Sequence, residues 1–268
     1  MKWFAASLVL TLLLGAADAG AVTYYQHNFD DMSAGALSLD TYWKVMSSGG
    51  MGNTPAIRLT YSTAGTPGHQ ATLNMSSFNT QEFWLEFDTR IEGPMNGGMK
   101  FVKVFGSSVA SQNNTTFIMD YSGNTLNRVS WYMDTLCELP LSGVTSNNSC
   151  EYTAVTTGNA IDLRGNAWHH VKIHFVRADP GVANGAYQIW IDGVDRAHFI
   201  NLNNNSPVSN ATDRIAFINF GDYTNSNNAT WYFWIDNLNV TSTDAGGGWC
   251  KVFCVWGLIP AISSSIPS

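Results

Sequence analysis

Apolar and polar residues alternate with a period of two along two neighbouring stretches of the chain. In residues 169–175 the odd positions are mainly apolar and the even positions are polar, and residues 187–191 repeat the alternation. This period is typical of half-buried β-strands. Between the two stretches, Asp179-Pro180-Gly181 and Asn184-Gly185 supply residues that favour turns. The sequence therefore predicts an antiparallel hairpin whose polar side carries His170, Lys172, His174, Gln188 and Trp190.

The remaining sequence has the features of a protein built from many short strands. Asn, Ser, Thr and Gly are abundant, long helical periodicity is absent, and no internal repeat interrupts the chain. These features favour a single all-β domain over residues 20–243. The formal net charge of −7 argues against non-specific nucleic-acid binding, because such binding depends on dense Lys and Arg.

Both ends of the chain differ from the central domain. Lys2 precedes an apolar run at residues 8–14, and Ala17-Asp18-Ala19 has the small residues that a signal peptidase reads. We therefore expect residues 1–19 to be a signal peptide and the protein to be secreted. Residues 244–268 combine a glycine-rich linker with an apolar tail, for which membrane association, packing on the domain and a sorting role all remain open.

Four cysteines in an exported chain favour disulfides over reactive thiols. Cys137 and Cys150 bracket one loop, and Cys250 and Cys254 are close enough to pair locally, although other connectivities remain open. Several Asn-X-Ser/Thr sequons, including Asn74-Met75-Ser76, would make this a glycoprotein in a eukaryotic host.

Three segments resemble one known superfamily. They are Trp168-His169-His170-Val171, the opening segment 26–31, and the closing segment 233–240 with the sequence FWIDNLNV. Together they resemble the concanavalin A-like lectin/glucanase superfamily, including laminin-G-like domains. The resemblance implies a two-sheet antiparallel jelly-roll sandwich over about residues 24–242. It also implies a structural calcium ion near Asp30 and Asp236, where the first and last strands adjoin.

Residues 83–92 predict a strand with one apolar face and one charged face. The charged face carries Glu86, Asp88, Arg90 and Glu92. Carboxylates two residues apart on a strand lie about 6.5 to 7 Å from each other, a separation that suits glycoside hydrolysis. The pattern resembles the Glu-X-Asp-X-X-Glu signature of a glycanase family but is one residue longer. The favoured interpretation is a solvated charged face.

A second strand is predicted at residues 97–106, after the Gly93-Pro94 turn. We expect it to pair antiparallel with residues 83–92. If Val102 and Val104 enter the core, Phe101, Lys103 and Phe105 lie beside Asp88 and Arg90. Such a strip of rings and cations suits a sugar groove, because aromatic rings cover the apolar faces of pyranoses.

This succession of strands resembles secreted polysaccharide lyases with jelly-roll folds. In these enzymes a basic or amide group neutralises a uronate carboxylate, and a Tyr or His removes the C5 proton. The Arg-X-Glu-X-Arg and Gln-Ile/Val-His motifs of one alginate-lyase family are absent. The candidate neutralising residues are Arg90, Lys103 and Asn219, and the candidate bases are Tyr132, Tyr121, His170 and His174.

The sequence favours a lyase that acts on a uronate-containing polysaccharide, and it leaves three alternatives. A non-catalytic lectin-like protein would use Gln188, Trp190 and Asn219 without a base. A glycoside hydrolase would use Glu86 and Glu92. A structural or adhesive surface protein would use the sandwich only to present loops. Fold resemblance supports all of them, since function depends on the site.

Overall fold

The structure is a computed structural model of the 268-residue chain. It describes residues 21–61, 69–95, 98–106, 115–122, 128–133, 150–152, 163–179, 182, 184–202, 214–224 and 230–243. For residues 98, 115–122, 128–133, 150–152, 197, 199–202 and 222–224 the description covers the backbone alone. The predicted signal peptide, the C-terminal tail and the cysteines at positions 137, 250 and 254 lie outside the described residues, and Cys150 begins a strand.

The described residues form two antiparallel sheets. The strands are β1 Thr23–His27, β2 Leu37–Leu39, β3 Trp43–Met46, β4 Ala56–Tyr61, β5 Ala71–Asn74, β6 Glu82–Glu92, β7 Gly98–Gly106, β8 Thr115–Ser122, β9 Arg128–Met133, β10 Cys150–Tyr152, β11 His169–Val176, β12 Gly185–Ile191, β13 Val194–Leu202, β14 Ile215–Thr224 and β15 Trp231–Thr241. One sheet has the order β13-β12-β11-β6-β15-β4-β3, with β1 also pairing β15, and the other has the order β10-β9-β8-β7-β14-β5-β2. Among the described residues no helix is long and apolar enough to cross a membrane.

The hairpin predicted from alternation is confirmed. Strands β11 and β12 pair antiparallel, with Ile173 opposite Ile189 and Lys172 opposite Trp190. The two isoleucines are fully buried, whereas Lys172 and Trp190 lie on the outward side of the sheet. The alternation therefore separates a core face from a polar face, as a period of two requires.

Aromatic rings fill the space between the two sheets. Phe87 of β6 and Phe233 of β15 come from one sheet, and Phe101 of β7 and Phe220 of β14 come from the other. The ring of Phe101 lies 4.7 Å from that of Phe233 and 5.9 Å from that of Phe87, measured between centroids. All four side chains are fully buried. This core joins the sheets into a jelly-roll sandwich, which confirms the predicted fold class.

The predicted pairing of residues 83–92 with residues 97–106 is wrong. Strand β6 lies between β11 and β15, whereas β7 lies between β8 and β14 in the opposite sheet. The turn that contains Gly93, at φ 96°, leads the chain across the sandwich instead of closing a hairpin. Both β6 and β7 carry strong apolar faces, and stacking these faces buries more apolar surface than pairing the strands edge to edge.

Phe101 consequently lies in the core, and its predicted place in a sugar groove is wrong. The register of β7 against β8 shifts between Lys100 and Val102. Such a bulge interrupts the alternation, so Phe101 and Val102 are both fully buried although they are consecutive. Lys103 and Phe105 return to the outward side, as predicted.

Gly221 marks a second local irregularity, in β14. Its φ of 69° lies in the left-handed region, where other residues are strained. A Cβ atom built on Gly221 would approach Leu59 and Trp43 to 2.8 Å each. The glycine therefore allows β14 to approach the core side chains of the other sheet closely.

Candidate functional site

The predicted site residues divide between the two outward surfaces of the sandwich. The surface of the β6-containing sheet that points away from the core is here called the eight-strand face, and that of the β7-containing sheet the seven-strand face. Stacked sheets lie about 10 Å apart, so the two faces cannot bind the same sugar residue. The eight-strand face carries Glu86, Asp88, Arg90, His170, Gln188 and Trp190, and the seven-strand face carries Lys103, Phe105 and Asn219.

On the eight-strand face, the guanidinium of Arg90 packs against two indole rings and a carboxylate. Its guanidinium carbon lies 5.1 Å from the ring of Trp168 and 4.7 Å from that of Trp234. One guanidinium nitrogen lies 3.3 Å from a carboxylate oxygen of Glu92, which also accepts a 2.9 Å hydrogen bond from the indole of Trp234. Burial lowers the pKa of Arg90 from its ordinary value. These contacts hold Arg90 away from Lys103, contrary to the predicted convergence.

His170 forms a hydrogen-bonded pair with Asp88 on the same face. The Nδ1 atom of His170 lies 2.9 Å from Oδ1 of Asp88, and Asn237 donates a 2.8 Å hydrogen bond to the other carboxylate oxygen. The hydrogen bond to Asp88 raises the pKa of His170. The histidine side chain is about half exposed, at 48%. At a given pH the raised pKa increases the share of the imidazolium form, which can donate a proton but cannot accept one.

Aromatic and charged side chains from neighbouring strands contact one another elsewhere on the eight-strand face. Lys172 places its ammonium 3.1 Å from Glu86 and 4.9 Å from the ring centre of Trp84. Trp84 and Trp190 stack with centroids 5.9 Å apart. Gln188 donates a hydrogen bond to Asp195. The charged residues of β6 lie on its outward side, as predicted. Arg90 and Glu92 contact each other, whereas Glu86 and Asp88 contact Lys172 and His170 of β11.

The geometry does not favour Glu86 and Glu92 as a hydrolytic pair. Six residue steps separate their Cα atoms, a distance of about 20 Å along an extended strand. A glycosidase needs its two carboxyl groups within about 10 Å of each other. Glu86 contacts Lys172, whereas Glu92 contacts Arg90 and Trp234, so their carboxylates do not meet.

The seven-strand face brings Lys103 and Asn219 together. The two residues are direct neighbours across β7 and β14. Both are nearly buried although they point outward, with 7% of Lys103 and 6% of Asn219 exposed. The Lys103 ammonium lies 4.8 Å from the ring centre of Phe105. A shielded cation, an amide and a ring therefore share one outward patch.

The strand register extends this patch toward Tyr132. Lys103 is opposite Ile118 of β8, and Ile118 is opposite Tyr132 of β9. Two strand spacings separate the backbones of Lys103 and Tyr132, or about 10 Å. Tyr121 falls in a different row, opposite Met99. The backbone therefore places Tyr132, and not Tyr121, in the row that contains Lys103 and Asn219.

Gln70 belongs to this patch and was missed by the sequence analysis. Its side-chain oxygen accepts a hydrogen bond from the amide of Asn219, 149 positions away in the chain. It immediately precedes β5, the neighbour of β14. No local pattern marks Gln70, because only the register of β5 against β14 brings it to Asn219.

A cleft of about 600 Å³ opens beside the first and last strands, where calcium was predicted. Asp30 lines it, together with Gln26, Asn28 and Asn239. The Asp236 carboxylate is nearly fully buried and accepts hydrogen bonds from the backbone of Met51 and Asn237 and from the hydroxyl of Thr54. Burial raises the pKa of Asp236. Within the described ranges no three His, Cys, Asp or Glu side chains cluster as a metal site.

Comparison with known proteins identifies the fold. No protein-family model and no curated protein matches the sequence. An endo-β-1,4-glucuronan lyase from the fungus Trichoderma reesei superposes with a TM-score of 0.53 at 14% identity, covering 77% of this chain and 90% of that one. The chain shares the fold of jelly-roll polysaccharide lyases.

Two further solved structures show how widely this fold is used. The alginate lyase Aly36B, with one lysine and one tyrosine replaced by alanine and an alginate tetrasaccharide bound, has a TM-score of 0.56 at 13% identity, covering 82% of this chain and 96% of that one. A carbohydrate esterase from the Shiga toxin-encoding bacteriophage phi24B has a TM-score of 0.51 at 15% identity, covering 84% of this chain and all of that one. At these identities the likeness describes the fold, and the function must be argued from the site.

Proposed function

We propose that this protein is a polysaccharide lyase that cleaves a uronate-containing chain by β-elimination on its seven-strand face. The observation that carries the proposal is the side-by-side placement of Lys103 and Asn219, both shielded from water and both outward-facing. A shielded cation beside an amide suits a carboxylate, because charge-assisted hydrogen bonds strengthen at low dielectric. Phe105 adds an apolar surface for a sugar ring.

The proposed reaction assigns separate roles to the patch residues. Lys103 and Asn219 bind the uronate carboxylate at C5 and stabilise the negative charge that develops there. Tyr132, as phenolate, takes the C5 proton. The electron pair of the C5–H bond forms the C4–C5 double bond, and the C4–O bond breaks. Tyr132 then passes this proton to the leaving oxygen, which restores the phenolate, and no water enters the products.

Structural neighbours support the choice of a lyase. One is a glucuronan lyase, and another is an alginate lyase that binds an alginate oligosaccharide after a lysine and a tyrosine have been replaced. Lys103 and Tyr132 provide the same two residue types at positions that the register of β7, β8 and β9 places in one row. Arg90 and His170 take no part in this proposal, because they lie on the eight-strand face and contact Glu92 and Asp88.

The second candidate is glycan binding without catalysis on the eight-strand face. The observation that favours it is the pair of partly exposed indoles, Trp84 and Trp190, with Gln188 beside them. Partly exposed rings beside an amide are a common sugar-binding arrangement. We expect this surface, if it binds a glycan, to do so independently of Lys103.

The proposal includes export of the protein, supported by the apolar run and the small residues within positions 1–19. The proposal also includes the disulfides Cys137–Cys150 and Cys250–Cys254. It further includes a structural calcium ion near Asp30 and Asp236. An exported lyase would meet its polysaccharide outside the cell. Mass analysis of the secreted protein, before and after reduction, tests the cleavage site and the disulfides together.

The direct test compares three variants on alginate and on glucuronan. Lys103→Met and Tyr132→Phe are expected to lower turnover at least a hundredfold, the usual effect of removing a charge stabiliser or a general base. Lys44→Met removes an exposed lysine from β3 in the other sheet and serves as the matched control. The assay follows the ultraviolet absorbance of the unsaturated product together with reducing ends. Full turnover by the Lys103 variant would overturn the proposed site.

A further inference from the structure

The amide of Asn219 is held in an orientation that leaves one of its atoms without a partner. Its Nδ2 donates a hydrogen bond to the side-chain oxygen of Gln70. Its Oδ1 is buried and has no hydrogen-bond partner among the described residues. A buried carbonyl without a partner is unusual in a folded protein and often marks a functional position.

This orientation is the wrong one for binding a carboxylate. A carboxylate only accepts hydrogen bonds, so Asn219 must offer it an N–H group. Gln70 lies on the β5 side of β14, and Lys103 lies on the β7 side. One N–H of Nδ2 is engaged by Gln70, and the carbonyl oxygen lies on the opposite side of the planar amide, toward Lys103. A uronate carboxylate bound beside Lys103 would therefore meet the carbonyl oxygen of Asn219 on that side and not an N–H group.

We propose that Gln70 is a positioning residue whose amide reverses together with that of Asn219 when a uronate binds. In the reversed state, Nε2 of Gln70 donates to Oδ1 of Asn219, and Nδ2 of Asn219 donates to the ligand carboxylate. The amide–amide hydrogen bond is kept, and the buried carbonyl gains a partner. Gln70 is partly exposed, so water can satisfy the oxygen that it releases. The inference rests on the proposed lyase function.

The proposal makes the amide pair a selector of carboxylated sugars. A ligand that carries a carboxylate favours the reversed state, whereas a carboxyl-reduced, neutral chain gains nothing from the reversal. A ligand shifts an equilibrium between two states only by its difference in affinity for them. Gln70 therefore increases the preference for uronate over the matching neutral sugar without contacting either.

Gln70→Glu tests this directly, because an ionised glutamate accepts hydrogen bonds and cannot donate one. It keeps Nδ2 of Asn219 engaged and prevents the reversal. We expect kcat/KM on alginate or glucuronan to fall about tenfold to a hundredfold, the range for one hydrogen bond to a charged group. At acidic pH the protonated glutamate can donate to Oδ1 of Asn219. The kcat/KM of Gln70→Glu, relative to the wild type at the same pH, should therefore partly recover. Gln70→Met, which neither donates nor accepts well, should show a smaller loss without pH-dependent recovery.

Asn74→Asp is the matched control. Gln70 and Asn74 flank Thr72, the residue paired with Asn219, by two positions in opposite directions. Asn74→Asp therefore adds the same charge at a similar distance, and its side-chain oxygen can still accept the hydrogen bond from Ser76. Bacterial expression avoids glycosylation at Asn74. This variant should stay within about threefold of the wild type, as expected for an exposed charge.

The outcomes separate the inference from the proposed function. If the wild type yields no unsaturated product, the lyase function fails. If the wild type is active and Gln70→Glu matches Asn74→Asp on every substrate and at every pH, the lyase stands and the role of Gln70 is overturned. Selective loss on the carboxylated chain, with binding of the carboxyl-reduced chain and the melting temperature unchanged, supports it.

Discussion

Replacing Phe101 by alanine should strongly destabilise the protein. Phe101 is fully buried and contacts Phe233 and Phe87 across the sandwich. Burial of a phenylalanine side chain stabilises by about 1.5 to 3 kcal/mol. The cavity left between two rigid sheets adds to this loss, giving about 3 to 5 kcal/mol in all. For a domain of this size the melting temperature should fall by about 6 to 20 °C.

Urea unfolding of Phe101→Ala and Phe105→Ala measures this difference. Phe105 is the matched control, since it lies in the same strand but is only partly buried, on the outward side. We expect Phe105→Ala to cost no more than about 1.5 kcal/mol. A larger loss of unfolding free energy from Phe105→Ala than from Phe101→Ala would refute the placement of the bulge in β7. It would indicate that Phe101 lies on the outward side of the sheet, as the sequence predicted.

Three further predictions test the packing, the charges and the metal. Gly221→Ala should lower the free energy of unfolding by about 2 to 4 kcal/mol, measured with urea, because the added methyl group combines left-handed strain with overpacking. The pKa of His170 is raised in the folded state, so its pairing with Asp88 stabilises the protein fully below the ordinary value of 6.5 and loses this effect as the pH rises through the raised pKa. Asp88→Asn should remove that component from the pH dependence of the melting temperature; an unchanged profile would contradict the pairing. If Asp30 and Asp236 hold calcium, EDTA should lower the melting temperature and calcium should restore it, whereas an unaffected melting temperature would remove the calcium hypothesis.

Local sequence patterns predicted the faces of single strands well. The alternation in β6 separates Phe83 and Leu85 in the core from Glu86 and Asp88 outside, as predicted. The same holds for β11 and β12. These faces follow from the side-chain period of a strand, which is a property of consecutive residues.

The pairing of strands was beyond the local pattern. The Gly93-Pro94 turn permits both a hairpin and a crossing between sheets, and the choice depends on apolar surfaces that meet only in the folded protein. The bulge near Lys100 moved Phe101 to the core for a similar reason. Sequence alternation cannot reveal a bulge that the partner strand imposes.

The candidate site required register information across long separations. Lys103 and Asn219 were both selected from the sequence as candidate carboxylate-binding residues, yet only the pairing of β7 with β14 makes them neighbours. Gln70 was not selected at all. Arg90 looked equally suitable in the sequence, and its position between Trp168 and Trp234 depends on strand β15 and the segment before β11. Residue type identified candidates, and strand order selected among them.

Mass analysis of the products is the most direct test of β-elimination by this protein. The protein would be incubated with alginate and with glucuronan, and the masses of the product oligosaccharides would be measured by mass spectrometry. We predict unsaturated fragments whose masses together equal that of the chain cleaved, since no water enters the reaction. Fragments that have gained one water at each cleavage would contradict the lyase and indicate hydrolysis. Intact polymers that nevertheless bind the protein would indicate a lectin-like function.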